Sequence, residues 1–437
     1  MRIGFHCWEF PPTIVGGLGT YAQSITPALA ERGHEVQVWT PEHSGWPQSV
    51  PPLAHERVRV RRVPLFDATP AFPYVVEDEL RHWGGFFSEL LVFNLLAAAE
   101  TRQALGLDGA LPAGAGVAGG RAGPAGDAPA GLDVVAVQDW LSGMTGLILA
   151  RERARPLVFH VHSTEWGRQP GGGSAAVHHF EGALGYAADA VITVSEAMRE
   201  DLVAHGWDAE KVFAVWNGVD PQRYRPGVVP DDQACALRER YGIALDAPLL
   251  LFVGRLTSVK GIEALIEAMP AIVAAHPEAR LIVLGVGDLQ GQLAARVAEL
   301  GLQEVVRLRY EFVSERERIA HYAACDLAVF PSTYEPFGIV SLEAMAMAKP
   351  VVVGARGVVG FREQVIASGA AQTGLHVDGG DPRDIAWGVN LALADRERMA
   401  AWGAAGRQRV LDHFTWAAAA AKTEAVYEWA LSRFPGR

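Results

Sequence analysis

The sequence has few cysteines and no long apolar run, and each absence argues against a class of protein. Its 437 residues include three cysteines, Cys7, Cys235 and Cys325, which form no CxxC pair. Neither a disulfide framework nor a zinc site is therefore indicated. No stretch approaches the roughly 18 uninterrupted apolar residues of a membrane-spanning helix, and the amino terminus lacks the apolar core of a signal peptide. These absences predict a reduced, cytoplasmic protein.

Positive charge is also scarce. The chain carries 38 basic and 50 acidic side chains, a formal charge of −12. This balance argues against a nucleic-acid-binding surface, because phosphate contacts require a basic one. The arginine-rich segment 57–63 (RVRVRRV) leaves peripheral contact with anionic lipid open, although its alternation with valine is typical of a strand with one solvated face. The sequence predicts no particular oligomeric state.

Short apolar runs alternate with amphipathic segments along the whole chain, which predicts an α/β fold of parallel sheets covered by helices on both faces. The predicted strands are Arg2–Cys7, Glu35–Thr40, Val134–Gln138, Leu157–Val161, Ala190–Val194, Val212–Val215, Leu249–Gly254, Ala279–Gly285, Val305–Leu308, Leu327–Phe330 and Pro350–Val353. The predicted helices include Tyr21–Arg32, Ile262–His276, Leu289–Leu300 and Ile339–Ala348.

A turn-rich segment at 226–248 divides the chain into two halves. We predict Rossmann-like domains at 1–225 and 226–412, followed by a C-terminal helical segment at 413–437. Two such domains would face each other across a cleft lined by the carboxyl ends of their strands, where ligands bind in folds of this kind. Residues 109–131, rich in Gly, Ala and Pro, are predicted to be a flexible surface insertion.

The strongest motif is PSTYEPFGIVSLEAM at 331–345. A strand runs into a loop and a helix is predicted to start near Gly338, so its amino end offers amides to an anion. Glu335 and Glu343 could then reach a sugar and a ribose diol, because carboxylates accept paired hydroxyl hydrogen bonds. A capping glutamate followed by a solvated helical glutamate is the structural alternative. The predicted anion site comprises the amides of Phe337, Gly338, Ile339 and Val340.

A second motif, GRLTSVKG at 254–261, follows a predicted strand. Arg255 and Lys260 are five residues apart and could clamp the two phosphates of a nucleotide-sugar; a loop with two solvated cations is the alternative. No DxD stands at a strand end, so divalent-metal binding of a diphosphate is not indicated. Protein cations and helix ends would then neutralise the diphosphate, and no cofactor is predicted.

The first half places polar side chains after several strands. The turn at Gly16, Gly17 and Gly19 lets backbone approach a ligand phosphate or sugar, although it is not GxGxxG. Other polar clusters follow the predicted strands that end near 138, 161 and 215. Each cluster alone is more typical of turn or core chemistry, but together they would face the cleft. These residues are Asp139, Trp140, His162, Glu165, Arg168 and Asn217.

Taken together, these motifs resemble the retaining family-4 glycosyltransferases of the GT-B fold, over nearly the whole chain except 109–131. The HSTEWGR segment at 162–168, QDW at 138–140 and Glu9 resemble the glycogen synthase branch. That branch transfers glucose from ADP- or UDP-glucose to the 4-hydroxyl of an α-1,4-glucan. The resemblance implies an acceptor domain in the first half and a nucleotide-sugar donor domain in the second.

The resemblance also implies roles for single residues. Arg255 and Lys260 would hold the diphosphate, together with the turn at Gly16 and Gly17, and Glu343 would hold the ribose. Glu335 would contact the glucose, and His162 and Asp139 would lie by the reacting sugars. The predicted catalytic residues are His162, Arg255, Lys260 and Glu335. The predicted acceptor-binding residues are Glu9, Asp139, Trp140, Glu165, Arg168 and Asn217.

Three alternatives remain open at this point. The first is a nucleotide-sugar epimerase on the same fold, which needs no acceptor. The second is a family-4 enzyme that glycosylates a small molecule or a lipid. The third is a non-catalytic sugar-binding protein, against which the two glutamates and the two cations argue.

Overall fold

The computed structural model describes residues 1–43, 48, 50–66, 78–107, 131–169, 171–311 and 313–435. The predicted insertion at 109–131 lies outside the described residues, apart from residue 131. Within the described residues, two parallel sheets form the framework of the fold.

The first sheet has seven strands in the order β3-β2-β1-β4-β5-β6-β7, and each pair of neighbours runs parallel. Its central strands β4 and β5 are buried along their whole length, as continuous apolar runs predict. The strands are β1 (Arg2–His6), β2 (Glu35–Glu42), β3 (Val58–Pro64), β4 (Val134–Gln138), β5 (Leu157–Val161), β6 (Ala190–Thr193) and β7 (Val212–Ala214). The helices of this part are α1 (Gly17–Glu31), α2 (Asp78–Ala104), α3 (Gly143–Glu152), α4 (Glu165–Arg168), α5 (Ala175–Ala187) and α6 (Glu196–Ala204).

The second sheet has six strands in the order β10-β9-β8-β11-β12-β13, again with parallel neighbours. Its strands are β8 (Leu249–Val253), β9 (Arg280–Leu284), β10 (Val306–Arg309), β11 (Leu327–Phe330), β12 (Val351–Gly354) and β13 (Gly374–Val377). The helices from residue 231 onward are α7 (Asp231–Arg240), α8 (Ile262–Ala275), α9 (Gln290–Glu299), α10 (Glu315–Ala324), α11 (Ile339–Ala346), α12 (Phe361–Gln364), α13 (Pro382–Leu393), α14 (Arg396–His413) and α15 (Trp416–Arg433).

These two sheets confirm the predicted fold class, an α/β protein with two parallel-sheet domains. The arginine-rich segment forms the edge strand β3, in which Val58 and Val63 are buried while Arg59 and Arg61 are exposed. Lipid contact by this strand stays a prediction. None of the helices in the described part of the chain combines the length and apolarity that a membrane crossing requires.

The chain crosses back to the first sheet near its end. The Val219 amide donates to the Phe414 carbonyl at 2.9 Å, and helix α15 then packs against α1. On α15, the Tyr427 hydroxyl lies 2.9 Å from Nε2 of His160 in β5. The sheets occupy residues 2–214 and 249–377, and the division at 226 and 413 stays a prediction.

Candidate active site

Lys260 and Glu335 form an ion pair between two neighbouring loops of the second sheet. Nζ of Lys260 lies 2.6 Å from Oε2 of Glu335, and the two side chains are 15% and 12% exposed. These loops leave the carboxyl ends of β8 and β11, which are adjacent strands. The two strongest sequence motifs therefore meet at one edge of the sheet.

A glycine allows these loops to approach. Gly261 has φ +66°, and a Cβ atom there would lie 1.9 Å from the carbonyl oxygen of Pro331. Any side chain at this position would clash with backbone and would strain its own conformation. Lys260 is consequently held against the loop that carries Glu335.

The loop of Glu335 continues into the amino end of α11. Gly338, the residue before this helix, has φ +85°, and a Cβ there would lie 2.0 Å from Cε1 of Phe361. The first amides of any helix lack partners within the helix, which leaves an anion site at this end. The helix begins where the sequence predicted it. Its role in binding phosphate, through Phe337, Gly338, Ile339 and Val340, stays a prediction.

Arg255, the other half of the predicted clamp, is exposed. It makes no ion pair with any residue that the structure describes. Its backbone neighbours are fixed, because the amides of Gly254 and Leu256 donate to the carbonyls of Leu284 and Val286. The structure thus brings Lys260, and not Arg255, into contact with Glu335.

Glu343 lies in a buried cluster and is only 4% exposed. Its Oε1 accepts hydrogen bonds from the Tyr224 hydroxyl at 2.8 Å and from Arg318 at 3.0 Å, and its Oε2 accepts one from the Tyr322 hydroxyl at 3.0 Å. Burial raises the pKa of both tyrosines. The structural alternative, a solvated helical glutamate, is therefore wrong. The predicted contact between Glu343 and a ribose stays a prediction. The Glu343 carboxylate already accepts hydrogen bonds from three protein side chains.

On the other sheet, Asp139 and His162 follow the adjacent strands β4 and β5. Oδ1 of Asp139 accepts a hydrogen bond from the His162 amide at 2.7 Å. Asp139 has φ +52° and ψ 177°, a strained conformation that clusters at functional sites. Nε2 of His162 lies 3.1 Å from Oε1 of Gln138. Burial lowers the pKa of His162, and the Asp139 carboxylate opposes this change, so the imidazole is neutral at pH 7.

Arg168 connects two carboxylates beside this pair. Its Nη2 lies 3.0 Å from Oε2 of Glu165 and 3.4 Å from Oε1 of Glu181. Burial raises the pKa of Glu181 to about 7. Burial also opposes ionisation of Glu165, but the Ser174 amide and Arg168 outweigh it and hold the pKa of Glu165 below its usual value. Sequence reasoning missed Glu181, because a single glutamate within helix α5 has no pattern that distinguishes it.

Two residues that were predicted to bind the acceptor, Glu9 and Trp140, have other partners in the structure. Oε2 of Glu9 accepts hydrogen bonds from the amides of Val15 and Gly16, each at 3.0 Å. This carboxylate therefore occupies the turn at Gly16 and Gly17, where a ligand phosphate was predicted. Trp140 packs near the rings of Phe86 and Phe87 on α2, with centroids 6.5 and 6.4 Å away.

Asn217 lies at the chain crossing. It is 6% exposed, and the next residue, Gly218, is so close to the C-terminal segment that a Cβ there would lie 2.3 Å from the Trp416 amide nitrogen. No contact joins Asn217 to Asp139 or His162 among the described hydrogen bonds. A structural position at the crossing accounts for its burial, and its acceptor-binding role stays a prediction.

The two sides of the cleft touch through Tyr334 and Thr164. The Tyr334 hydroxyl accepts a hydrogen bond from the Thr164 amide at 3.0 Å and lies 3.1 Å from the Thr164 hydroxyl. Tyr334 immediately precedes Glu335, and Thr164 follows His162 by two residues. The loop that carries Glu335 is therefore in direct contact with the loop that begins at His162.

Two parallel-sheet α/β domains with polar loops at the carboxyl ends of their strands are the architecture of the GT-B fold. The family model "Glycosyl transferases group 1" matches residues 235–409, and "Glycosyl transferase 4-like domain" matches residues 16–218. The chain belongs to this family, the family-4 glycosyltransferases, and the predicted family and enzyme class are confirmed.

Curated relatives match almost the entire chain. It is 31% identical over 441 residues to an uncharacterized glycosyltransferase, MJ1607, of Methanocaldococcus jannaschii, which covers 99% of both proteins. It is 30% identical over 432 residues to a glycogen synthase of Mycobacterium tuberculosis, covering 98% of this chain and 94% of that one. A D-inositol 3-phosphate glycosyltransferase of Xylanimonas cellulosilytica is 31% identical over 438 residues, with 97% and 94% covered.

Solved structures share the fold. Sucrose-phosphate synthase of Thermosynechococcus elongatus aligns with a TM-score of 0.74 at 24% identity and covers 99% of both chains. The catalytic domain of starch synthase IV of Arabidopsis thaliana, bound to ADP and acarbose, aligns with a TM-score of 0.75 at 16% identity and the same coverage. At these identities the likeness shows the fold alone.

Proposed function

We propose that this glycosyltransferase moves glucose from ADP- or UDP-glucose to the 4-hydroxyl of an α-1,4-glucan, with retention of configuration and without a metal ion. The observation that carries the proposal is the Lys260–Glu335 pair beside the amino end of α11. Tyr334, the neighbour of Glu335, is hydrogen-bonded to Thr164 in the loop that carries His162 and Arg168. A donor diphosphate and an acceptor sugar would bind on these two sides.

In the proposed reaction, the bond between the sugar C1 and the β-phosphate oxygen breaks, and a bond from C1 to the acceptor oxygen forms on the same face. The leaving phosphate accepts the proton of the acceptor hydroxyl. Lys260, the α11 amides and Arg255 stabilise the negative charge on the leaving group, which is electrostatic catalysis by preorganised donors. The neutral imidazole of His162 contacts the reacting sugars as a hydrogen-bonding group, and Glu335 orients the glucose.

The glucan acceptor is supported by the glycogen synthase relative of M. tuberculosis and by the HSTEWGR and QDW segments. A small-molecule acceptor is the second candidate. Two relatives named as D-inositol 3-phosphate glycosyltransferases match 97% and 95% of the chain. An α-maltose-1-phosphate synthase of Mycolicibacterium smegmatis is 32% identical over 67% of the chain. A cytoplasmic setting is also part of the proposal and is supported by three free cysteines.

A donor and acceptor screen tests this function. ADP-, UDP- and GDP-glucose are each incubated with maltotetraose, inositol 3-phosphate or glucose 1-phosphate, and the products are resolved by mass spectrometry. We expect maltopentaose from ADP- or UDP-glucose, an α-linkage by proton NMR, and an unchanged rate in EDTA. Extension of a phosphorylated acceptor alone would support the second candidate. Epimerised donor without acceptor would support the epimerase alternative.

A further inference from the structure

The contact between Tyr334 and Thr164 is buried and fully hydrogen-bonded. Tyr334 is 9% exposed and Thr164 is 1% exposed. The tyrosine hydroxyl accepts from the Thr164 amide at 3.0 Å and pairs with the Thr164 hydroxyl at 3.1 Å. Burial raises the pKa of Tyr334 to about 12, so the phenol keeps the proton that this second bond can use.

The ring of Tyr334 fits against a position that only glycine can occupy. A Cβ atom at Gly167 would lie 2.0 Å from Cε2 and 2.4 Å from the hydroxyl oxygen of this ring. Gly167 belongs to the short helix α4, which starts directly after Thr164. The loop of the second domain therefore inserts its aromatic ring into the first domain at a point where the backbone leaves room for it.

A second joint holds the other side of Glu335. The Glu335 amide donates to the Val358 carbonyl at 2.9 Å, and the Gly360 amide donates to the Glu335 carbonyl at 2.7 Å. This segment leads into α12, where the Glu363 carboxylate accepts hydrogen bonds from the Glu196 and Ala197 amides of the first domain at 2.9 and 2.7 Å. The backbone of Glu335 is thus anchored to the first domain from both directions.

We propose that Tyr334 is a positioning residue for glycosyl transfer. By bonding to Thr164 and packing on Gly167, it fixes the distance between the Lys260–Glu335 pair and the loop that begins at His162. In this role it acts through the two loops that it joins. Its removal would leave each half of the site intact and would disturb only their relative placement, which governs the reaction of two bound partners.

The variant Tyr334→Phe tests this role because it keeps the ring and removes both hydrogen bonds. We expect kcat for transfer to fall about 10- to 100-fold, as a misplacement of about 1 Å would cause. The Kd for ADP or UDP, measured by calorimetry, should stay within about twofold, because both halves of the site are intact. Tyr186→Phe is the matched control, since Tyr186 is 87% exposed.

Hydrogen exchange gives a readout that does not depend on the substrate. The Thr164 amide should exchange faster in Tyr334→Phe than in the unaltered protein, because it loses its acceptor. Unchanged exchange would overturn the contact itself. An unchanged kcat, or a loss in nucleotide affinity that equals the loss in kcat, would overturn the positioning role and leave the proposed transferase function untouched.

Gly167→Ala supplies an independent perturbation of the same joint. The new methyl group must displace the Tyr334 ring, so kcat should fall without the tyrosine being altered. Adding Tyr334→Phe to this variant should cost little more, because the hydrogen bonds are already lost. Fully additive losses would contradict the proposal. Gly182→Ala is the control, since nothing lies within 4 Å of a Cβ atom there.

Discussion

At the scale of single residues, the site depends on a lysine and a glutamate that neutralise each other in a largely buried position. Lys260 is one of four lysines in the chain, and its ammonium group lies 2.6 Å from Glu335. An incoming diphosphate would contact the ammonium group of Lys260, which also stays paired with Glu335. The sugar of the donor would contact the carboxylate of Glu335. In the proposed reaction, the pair would link charge stabilisation to sugar orientation.

Replacing Lys260 by Ala should lower turnover by about tenfold or more, since one preorganised donor to the leaving phosphate is lost. Initial rates at saturating donor and acceptor measure the effect. Lys211→Ala is the control. Lys211 lies in the first domain, where its ammonium group donates to the carbonyls of Tyr186 and Ala188 and not to Glu335. Turnover at the level of the unaltered protein in Lys260→Ala would contradict the clamp.

Glu181 should make stability depend on pH. Its pKa is raised by burial from 4.5 to about 7, so between these values the folded protein holds a proton that the unfolded chain releases. The free energy of unfolding then falls as pH rises through this window, by up to about 3 kcal/mol. Glu181→Gln should remove this part of the slope.

Urea unfolding at pH 5 and pH 8 measures the Glu181 effect as a difference between variants. The unaltered protein should lose more stability over this interval than Glu181→Gln does, whereas Glu239→Gln, at an exposed position on α7, should behave like the unaltered protein. Identical pH dependence in all three would show that Glu181 is ionised throughout.

At the scale of elements, glycines decide how closely the donor loops approach. Gly261→Ala should weaken ADP or UDP binding at least about tenfold, because its Cβ would collide with the Pro331 carbonyl and its left-handed backbone disfavours alanine. Calorimetric titration measures this loss. Gly291→Ala, where nothing lies within 4 Å, should bind normally, and equal affinity in both variants would contradict the predicted nucleotide site.

Most elements could be predicted because buried parallel strands have distinct apolar runs. Strands β4, β5 and β11 have the predicted bounds. Strand β13 (Gly374–Val377) was missed, because its only large apolar residues are Leu375 and Val377, which are separated by His376. The helix after Gly338 was predicted, but the donors around Glu343 were not, because Tyr224 and Arg318 lie 119 and 25 residues away in sequence.

At the scale of the whole molecule, the two domains are joined by contacts that no local pattern reveals. The Glu363 carboxylate lies at the amino end of α6 and also accepts from Nε1 of Trp216 at 2.7 Å. A carboxylate at a helix amino terminus is stabilised by the helix dipole. Sequence reasoning predicted a cleft between two domains, but the partners across it are 147 to 170 residues apart.

Glu363→Ala should open this joint. The free energy of unfolding should fall by about 1–3 kcal/mol, as loss of charge-assisted hydrogen bonds predicts, and the radius of gyration from small-angle scattering should increase. Glu397→Ala, in the first turn of α14, is the control. An unchanged scattering profile together with unchanged stability would contradict the view that Glu363 holds the domains together.

The most direct measurement is a crystal structure of the protein with a nucleotide-diphosphate sugar bound. Our account predicts the pyrophosphate within about 3 Å of Nζ of Lys260 and of the amides at the start of α11, with the sugar against Glu335. A pyrophosphate bound at the turn of Gly16 and Gly17, remote from Lys260 and α11, would contradict it.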